Sequence, residues 1–172
     1  GNYILYHGNL SLLDNYQLII ELLNNELKNC SHPIVLAGKD PPISLIELTK
    51  RRQNIRLISN PSNAEMYTLL QEAHICLAIA KNPSGVKLKL INSLFATRFV
   101  ISNEYAVNGS GLEELCIIPN NKNSYENIID ELMQTSFDAV HIQQRKSILE
   151  EKYNNRKNAL RLLQLIFNNS QN

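Results

Sequence analysis

The residues best suited to chemistry lie in one stretch, Ser84-Gly85-Val86-Lys87-Leu88-Lys89-Leu90-Ile91-Asn92-Ser93-Leu94-Phe95-Ala96. A small-residue turn that opens a helix leaves backbone N–H groups without intrahelical partners. The helix dipole adds partial positive charge at the same end, so the arrangement suits a phosphate. Lys87 and Lys89 fall within the first turn or so, where a cation opposes the dipole. Two cations so placed imply an anion beside them. Being two residues apart they cannot project the same way, so at most one faces a ligand; two solvated surface lysines are the bland alternative. Small residues recur in Gly8-Asn9, Gly38-Lys39, Asn60-Pro61 and Asn82-Pro83-Ser84-Gly85, each after an apolar run. Glycine there allows a ligand close to the backbone, although glycine is also the ordinary way to turn out of a strand.

Short apolar runs alternate with segments of helical period, the pattern of βα repeats on a parallel sheet. The strands predicted are Tyr3 to His7, Pro33 to Ala37, Ile55 to Ser59, Ile75 to Ala80, Arg98 to Ser102 and a short sixth, Leu115 to Ile118. Helices are expected up to about Leu27, from near Ile43, around Met66 to Leu70 and from Gly85 to Ala96. Ser62 with Glu65 resembles a capping box for the third of these. Two more follow, Ser124 to Met133 and Asp138 to about Asn169, the latter broken near Tyr153 or Asn154. The fold class expected is α/β, a Rossmann-like doubly wound parallel sheet of about six strands with a helical C-terminal tail. Residues 2–120 should form the binding domain and residues 121–172 helices packing on it.

Composition excludes several classes. Apolar residues make up 44% and charged residues 19%, with a formal net charge of +1, so nothing marks a nucleic-acid or anionic-membrane footprint. No run approaches the roughly 20 apolar residues of a membrane span, and a cytoplasmic location is expected. Cys30, Cys76 and Cys116 are widely spaced and read as reduced structural thiols; with His7, His32, His74 and His141 equally scattered, no metal site is expected. An acidic pair ending the first strand and an Asp ending the third would suggest a flavodoxin-like receiver. His7-Gly8 and Ser59-Asn60 stand there instead.

The order strand-GNL, strand-AGKD, SNPSNAEM, QEAHICLAIA and SGVKLKLINSLFATRFVISN resembles the C-terminal domain of retaining GT-B glycosyltransferases. That large family includes sucrose synthases and many lipopolysaccharide and capsule mannosyl- and glucosyltransferases. The resemblance covers about residues 3 to 120, and the tail is similar to the family's closing helices. Asn92 to Ala96 followed by Arg98 to Ser102 is similar to the family's E-A-x-A-x-G-x-P-V-V stretch. Two departures stand out. The family's paired glutamates, one for the donor sugar and one for the ribose, are matched by Ser84 and Asn92; its diphosphate-binding Arg and Lys near the first loop are matched by Asn9 and Asp14.

The resemblance implies the donor-binding half of an enzyme that moves a sugar from a nucleotide-diphosphate sugar to a glycan or other acceptor. Gly8, Asn9, Lys39, Ser84, Gly85, Val86, Lys87, Leu88 and Lys89 would hold the donor and its diphosphate, and Asn60, Pro61 and Asn92 the ribose and base. No metal or cofactor is implied and no catalytic residue is assigned, because acceptor binding and any general base would come from an N-terminal domain expected to precede residue 1. That domain is the expected protein partner and would carry any peripheral membrane contact. The fragment alone should bind donor weakly and transfer nothing. Two other readings remain: a non-catalytic sugar-nucleotide-binding or assembly module of the same fold, and a nucleotide-sugar epimerase, for which only His7 lies at a strand end.

Overall fold

The apolar runs that begin at Ile4, Ile34, Ile75 and Phe99 are buried over most of their length, as strands of a parallel sheet covered by helices are, whereas the run from Ile55 leaves Arg56 and Ser59 exposed. A computed structural model describes residues 1–120 and 124–168. The expected helix end at Asn169 lies outside them. The strands are β1 Ile4–Asn9, β2 Ile34–Lys39, β3 Ile55–Ser59, β4 Ile75–Ala78 and β5 Phe99–Ser102. All pair in parallel, in the order β3-β2-β1-β4-β5. The chain therefore runs outward from β1 to β3 and then crosses back to the far side of β1. This reversal opens a crevice between the C-terminal ends of β1 and β4, the usual ligand position in such sheets. A flavodoxin-like order would set β3 beside β1; here β2 lies between them.

The strand count corrects the sequence expectation. Leu115 to Ile118 is not a sixth strand: Glu113–Leu115 is a 3-10 turn, and only Ile117 bridges to Ile101. The Ile117 amide donates to Val100 O at 2.9 Å and Ser102 N donates to Ile117 O at 2.9 Å. Pro119, lacking an N–H, follows two residues later and does not extend the ladder.

The helices of the first unit are α1 Leu13–Asn24, α2 Ile43–Lys50, α3 Asn63–Glu72, α4 Leu88–Ala96, the short α5 Glu104–Val107, and α6 Ser124–Gln134. Ile19, Leu22 and Leu23 of α1 are buried in one core cluster with Ile4, Tyr6, Leu36, Leu77 and Ile101 of the sheet, and Leu90 and Leu94 of α4 are buried as well. α6 joins this core through Ile129 and Leu132. Arg52 donates to Leu23 O at 2.9 Å and Leu27 O at 3.0 Å, satisfying carbonyls that the end of α1 leaves open. The capping box at α3 forms as the sequence suggests: the Glu65 amide donates to Ser62 Oγ and the Ser62 amide to Glu65 Oε2.

Residues 1–137 form one compact unit and residues 138–172 a second. The described part of the second holds α7 Ala139–Lys152, with Asp138 as N-cap, and α8 Asn155–Asn168. The break at Tyr153 and Asn154 falls where the sequence places it. Asn154 Oδ1 accepts from the Lys157 amide at 3.0 Å and so starts α8.

Candidate functional site

The crevice between β1 and β4 holds a cavity of about 600 Å³. Leu12, Leu13, Asp14 and Asn15 form one wall at the start of α1. Val86, Lys87, Leu88 and Lys89 form the other at the start of α4, with Ala80, Lys81 and Asn82 between. The neighbouring strand fixes the end of β4. Ser102 Oγ donates to Ala78 O at 2.8 Å, while the Asn103 side chain both accepts from Ala80 N at 3.0 Å and donates to Ala80 O at 2.7 Å.

α4 begins at Leu88, not at the expected Gly85. Gly85 has φ +64° and Lys87 is extended at φ −85°, ψ 108°, so the three residues before Leu88 belong to the loop. Asn82 organises that loop: its Oδ1 accepts from Ser84 Oγ at 2.7 Å, Ser84 N at 3.4 Å and Lys87 Nζ at 3.3 Å. Lys87 Nζ also donates to Ser84 O. Lys87 is thus folded back on its own turn. The helix end itself has no side-chain cap, and Leu90 N and Ile91 N close on Lys87 O, which leaves the amides of Leu88 and Lys89 without intrahelical acceptors.

Lys89 is the distinctive group. Its Nζ is buried, has no hydrogen-bond partner, and lies 5.0 Å from the centroid of the Tyr6 ring. Burial pushes its ammonium down from 10.5 to about 8, and Lys87 nearby adds to that. The residue as a whole is only half-buried because its aliphatic stem borders the cavity. A buried unpaired ammonium is costly unless a counter-charge arrives, and the open amides of the same turn supply further donors to an anion.

One turn below, Ser93 fastens α4 to the sheet. It is fully buried, and its hydroxyl lies 2.7 Å from Lys89 O, 3.1 Å from His7 Nε2 and 3.0 Å from Cys76 Sγ. The carbonyl can only accept, so the single hydroxyl proton goes to Lys89 O. His7 Nε2–H and the Cys76 thiol must then be the donors to Ser93. Burial, with the Lys89 charge beside it, lowers His7 to about 4, and burial raises Cys76 to about 12. Both groups therefore keep the neutral, protonated forms that this network needs. A buried neutral His7 engaged with Ser93 does not suit the acid–base role that an epimerase would require.

Of the expected site residues, Val86, Lys87, Leu88 and Lys89 come together in the cavity wall, with Ser84 and Gly85 on the loop that leads into it. Gly8, Asn9, Lys39, Asn60 and Pro61 are at the same rim, outside the cavity lining. Asn9 Oδ1 accepts from Ser11 N and Oγ, and Lys39 is exposed, 4.0 Å from Asp40. Gly38 has a structural cause: a Cβ there would lie 1.9 Å from Gly8 O. Asn60, with φ +53°, accepts from the Asp40 amide at the exit of the edge strand. Asn92 lines a separate hollow of about 340 Å³ with Asn63, Met66, Tyr67, Leu70, Phe95 and Ala96. From sequence, Ser93 and Asn82 stand inside the stretches quoted above without a role of their own; a lone serine four residues after Lys89 is the available signal for the first. Among the described residues no group of three His, Cys, Asp or Glu side chains could hold a metal ion, and no helix is long and apolar enough to cross a membrane.

No protein-family profile matches the chain. It is 27% identical over 179 aligned positions to an uncharacterised 44.6 kDa protein of the cps region of Klebsiella pneumoniae, covering 90% of this chain and 43% of that protein. Among solved structures it superposes on a glycosyltransferase from Rickettsia africae with TM-score 0.69 and 18% identity, covering 96% of this chain and 48% of that one. Anabaena HepE, solved with UDP and glucose, gives TM-score 0.65 at 14% identity over 94% and 48%. WaaG, a glycosyltransferase of lipopolysaccharide biosynthesis, gives 0.58 at 15% over 84% and 40%. The chain spans less than half the length of each of these proteins. With the β3-β2-β1-β4-β5 sheet and the crevice at its switch point, they show that this chain has the fold of one Rossmann-like half of a GT-B glycosyltransferase.

Proposed function

We propose that this chain is the donor-binding half of a glycosyltransferase, and that its crevice takes the diphosphate of a nucleotide sugar. The observation that carries the proposal is Lys89: a buried ammonium with no partner, at an uncapped helix N-terminus, in a cavity at the topological switch point. HepE, similar in fold, was solved with UDP and glucose, which supports the ligand class. Transfer from such a donor develops negative charge on the departing diphosphate. The Lys89 ammonium and the amides of Leu88 and Lys89 would stabilise that charge without reorganising, because the protein has already desolvated and fixed them. Lys87 could add a second cation by leaving Asn82 and Ser84. In this reading the rest of the enzyme, including acceptor site and general base, belongs to a second half, and the setting is cytoplasmic. No metal or cofactor forms part of the proposal.

A second reading keeps the ligand and drops the turnover. It is favoured by Asn92, which lines the α3–α4 hollow away from the cavity, and by Ser84, which has no carboxylate to offer the sugar. Calorimetric titration with UDP and GDP tests the shared claim: binding of one of them is expected, and absence of heat with both at millimolar ligand would contradict it. Sugar transfer by the full-length protein then separates the readings, since an enzyme with Lys89→Met loses turnover and an assembly module retains its partner.

A further inference from the structure

Three lysines and one carboxylate line the crevice: Lys81, Lys87, Lys89 and Asp14. Among the described residues none of the three lysines forms an ion pair. Asn82 sorts them. Its Nδ2 donates to Asp14 Oδ2 at 3.1 Å and its Oδ1 accepts from Lys87 Nζ at 3.3 Å, so one amide bridges the acid to a cation. Lys87 also donates to Ser84 O. The charges of Asp14 and Lys87 are thus held close together and offset one another. Lys81 and Lys89 remain. Lys89 belongs to the α4 wall, whereas Lys81 leaves the end of β4 in the other direction. Its Nζ donates to Gln17 Oε1 at 3.2 Å, on α1 one turn beyond Asp14.

The α1 helix brings no cation of its own, since Leu13–Asn24 contains neither lysine nor arginine. Lys81 supplies that wall with one from the neighbouring loop. The ammonium carries three donors, and the Gln17 amide oxygen takes one, leaving two for a ligand. An exposed hydrogen bond to a neutral amide is worth only about 1 kcal/mol, so exchanging it for a phosphate costs the fold little. Lys87 is placed less well: to reach a phosphate it must leave Asn82 and Ser84, and Asp14 then loses its compensating charge. A nucleotide-linked sugar carries one negative charge on each of its two phosphates. Two cations on facing walls match that ligand in number and in placement. Resting on the donor-binding reading above, we propose that Lys81, steered to α1 by Gln17, is the second cation of the diphosphate site, binding phosphate oxygen from the α1 side while Lys89 binds from the α4 side. Lys81 touches the ligand; Gln17 is a positioning residue acting through it.

Calorimetric titration with UDP and with GDP tests this on the unaltered chain and on Lys81→Gln, Lys81→Arg and Lys50→Gln, with circular dichroism to verify each fold. Lys81 is exposed, so its substitution leaves the core untouched. Lys50, the last residue of α2 and outside the cavity lining, removes the same charge elsewhere. Lys81→Gln should weaken the diphosphate that binds about tenfold, as loss of a hydrogen bond to a charged group does. Lys81→Arg keeps the charge and should retain most of the affinity, and Lys50→Gln should change nothing. An unchanged affinity in Lys81→Gln, or an equal loss in Lys81→Arg or Lys50→Gln, would overturn the role of Lys81 and leave the Lys89 site standing. No binding of UDP or GDP by the unaltered chain would overturn both.

Discussion

Replacing Lys89 with methionine should make the fold more stable while removing the anion site. The displacement of its ammonium from 10.5 to about 8 corresponds to about 3 kcal/mol of unfavourable free energy in the folded state at neutral pH. The Tyr6 ring at 5.0 Å returns about 1 kcal/mol of this through a cation–π contact, leaving about 2 kcal/mol. Methionine keeps most of the aliphatic stem and loses only the charge. The sign follows from proton counting: between about pH 8 and 10.5 the unfolded chain holds a proton on Lys89 that the folded chain has released. Stability therefore rises with pH across that window and carries the full deficit below it. At pH 7 Lys89→Met should melt about 5 °C above the unaltered protein, given the few degrees per kcal/mol expected at this size. The gap should close as the pH approaches 10.5. Differential scanning calorimetry at pH 7, 8 and 9.5 measures it. A variant that melts at or below the parent at pH 7, or a gap independent of pH, would refute the claim that Lys89 is a stored, unpaired charge.

Other consequences follow from the same geometry. Gly38→Ala should destabilise the fold far more than Gly85→Ala, because a Cβ at Gly38 meets Gly8 O at 1.9 Å whereas nothing lies within 4 Å of one at Gly85; at Gly85 only the strain of φ +64° remains, about 1 kcal/mol. Urea unfolding of the two variants compares them. Ser93→Ala leaves His7 Nε2–H and the Cys76 thiol without their acceptor and should cost about 1–3 kcal/mol in the same assay. Cys76 is fully buried and raised to about 12, so it should resist alkylation at pH 8 until the protein unfolds, which mass spectrometry after iodoacetamide treatment would show.

The sheet was legible because a buried parallel strand is an uninterrupted apolar run, and Ile75 to Ala80 can hardly be read otherwise. Local signals with their own hydrogen bonds were equally plain: the Ser62–Glu65 cap and the break before α8 depend on residues a few positions apart. What depended on distant partners was not. The helix was placed from Gly85 because glycine and serine look like its opening, yet Asn82 captures Ser84 and Lys87 and holds the chain out of the helix until Leu88. Ser93 is locked to His7 and Cys76, so Asn92, which precedes it by about 100° of helical rotation, turns toward α3. Nor could the sequence say which lysine faces inward; the Tyr6 ring and the sheet, packed from remote parts of the chain, decide for Lys89.

The account rests on Lys89 meeting a diphosphate, and the protonation of its own side chain reports this most directly. With the lysine Cε carbons labelled and Lys89→Met assigning the signal, an NMR titration should place Lys89 near pH 8 in the free protein and well above that once UDP or GDP saturates the site, as a new counter-charge requires. A Lys89 that titrates as an ordinary solvated lysine without ligand, or one whose midpoint stays in place when nucleotide is bound, would contradict it.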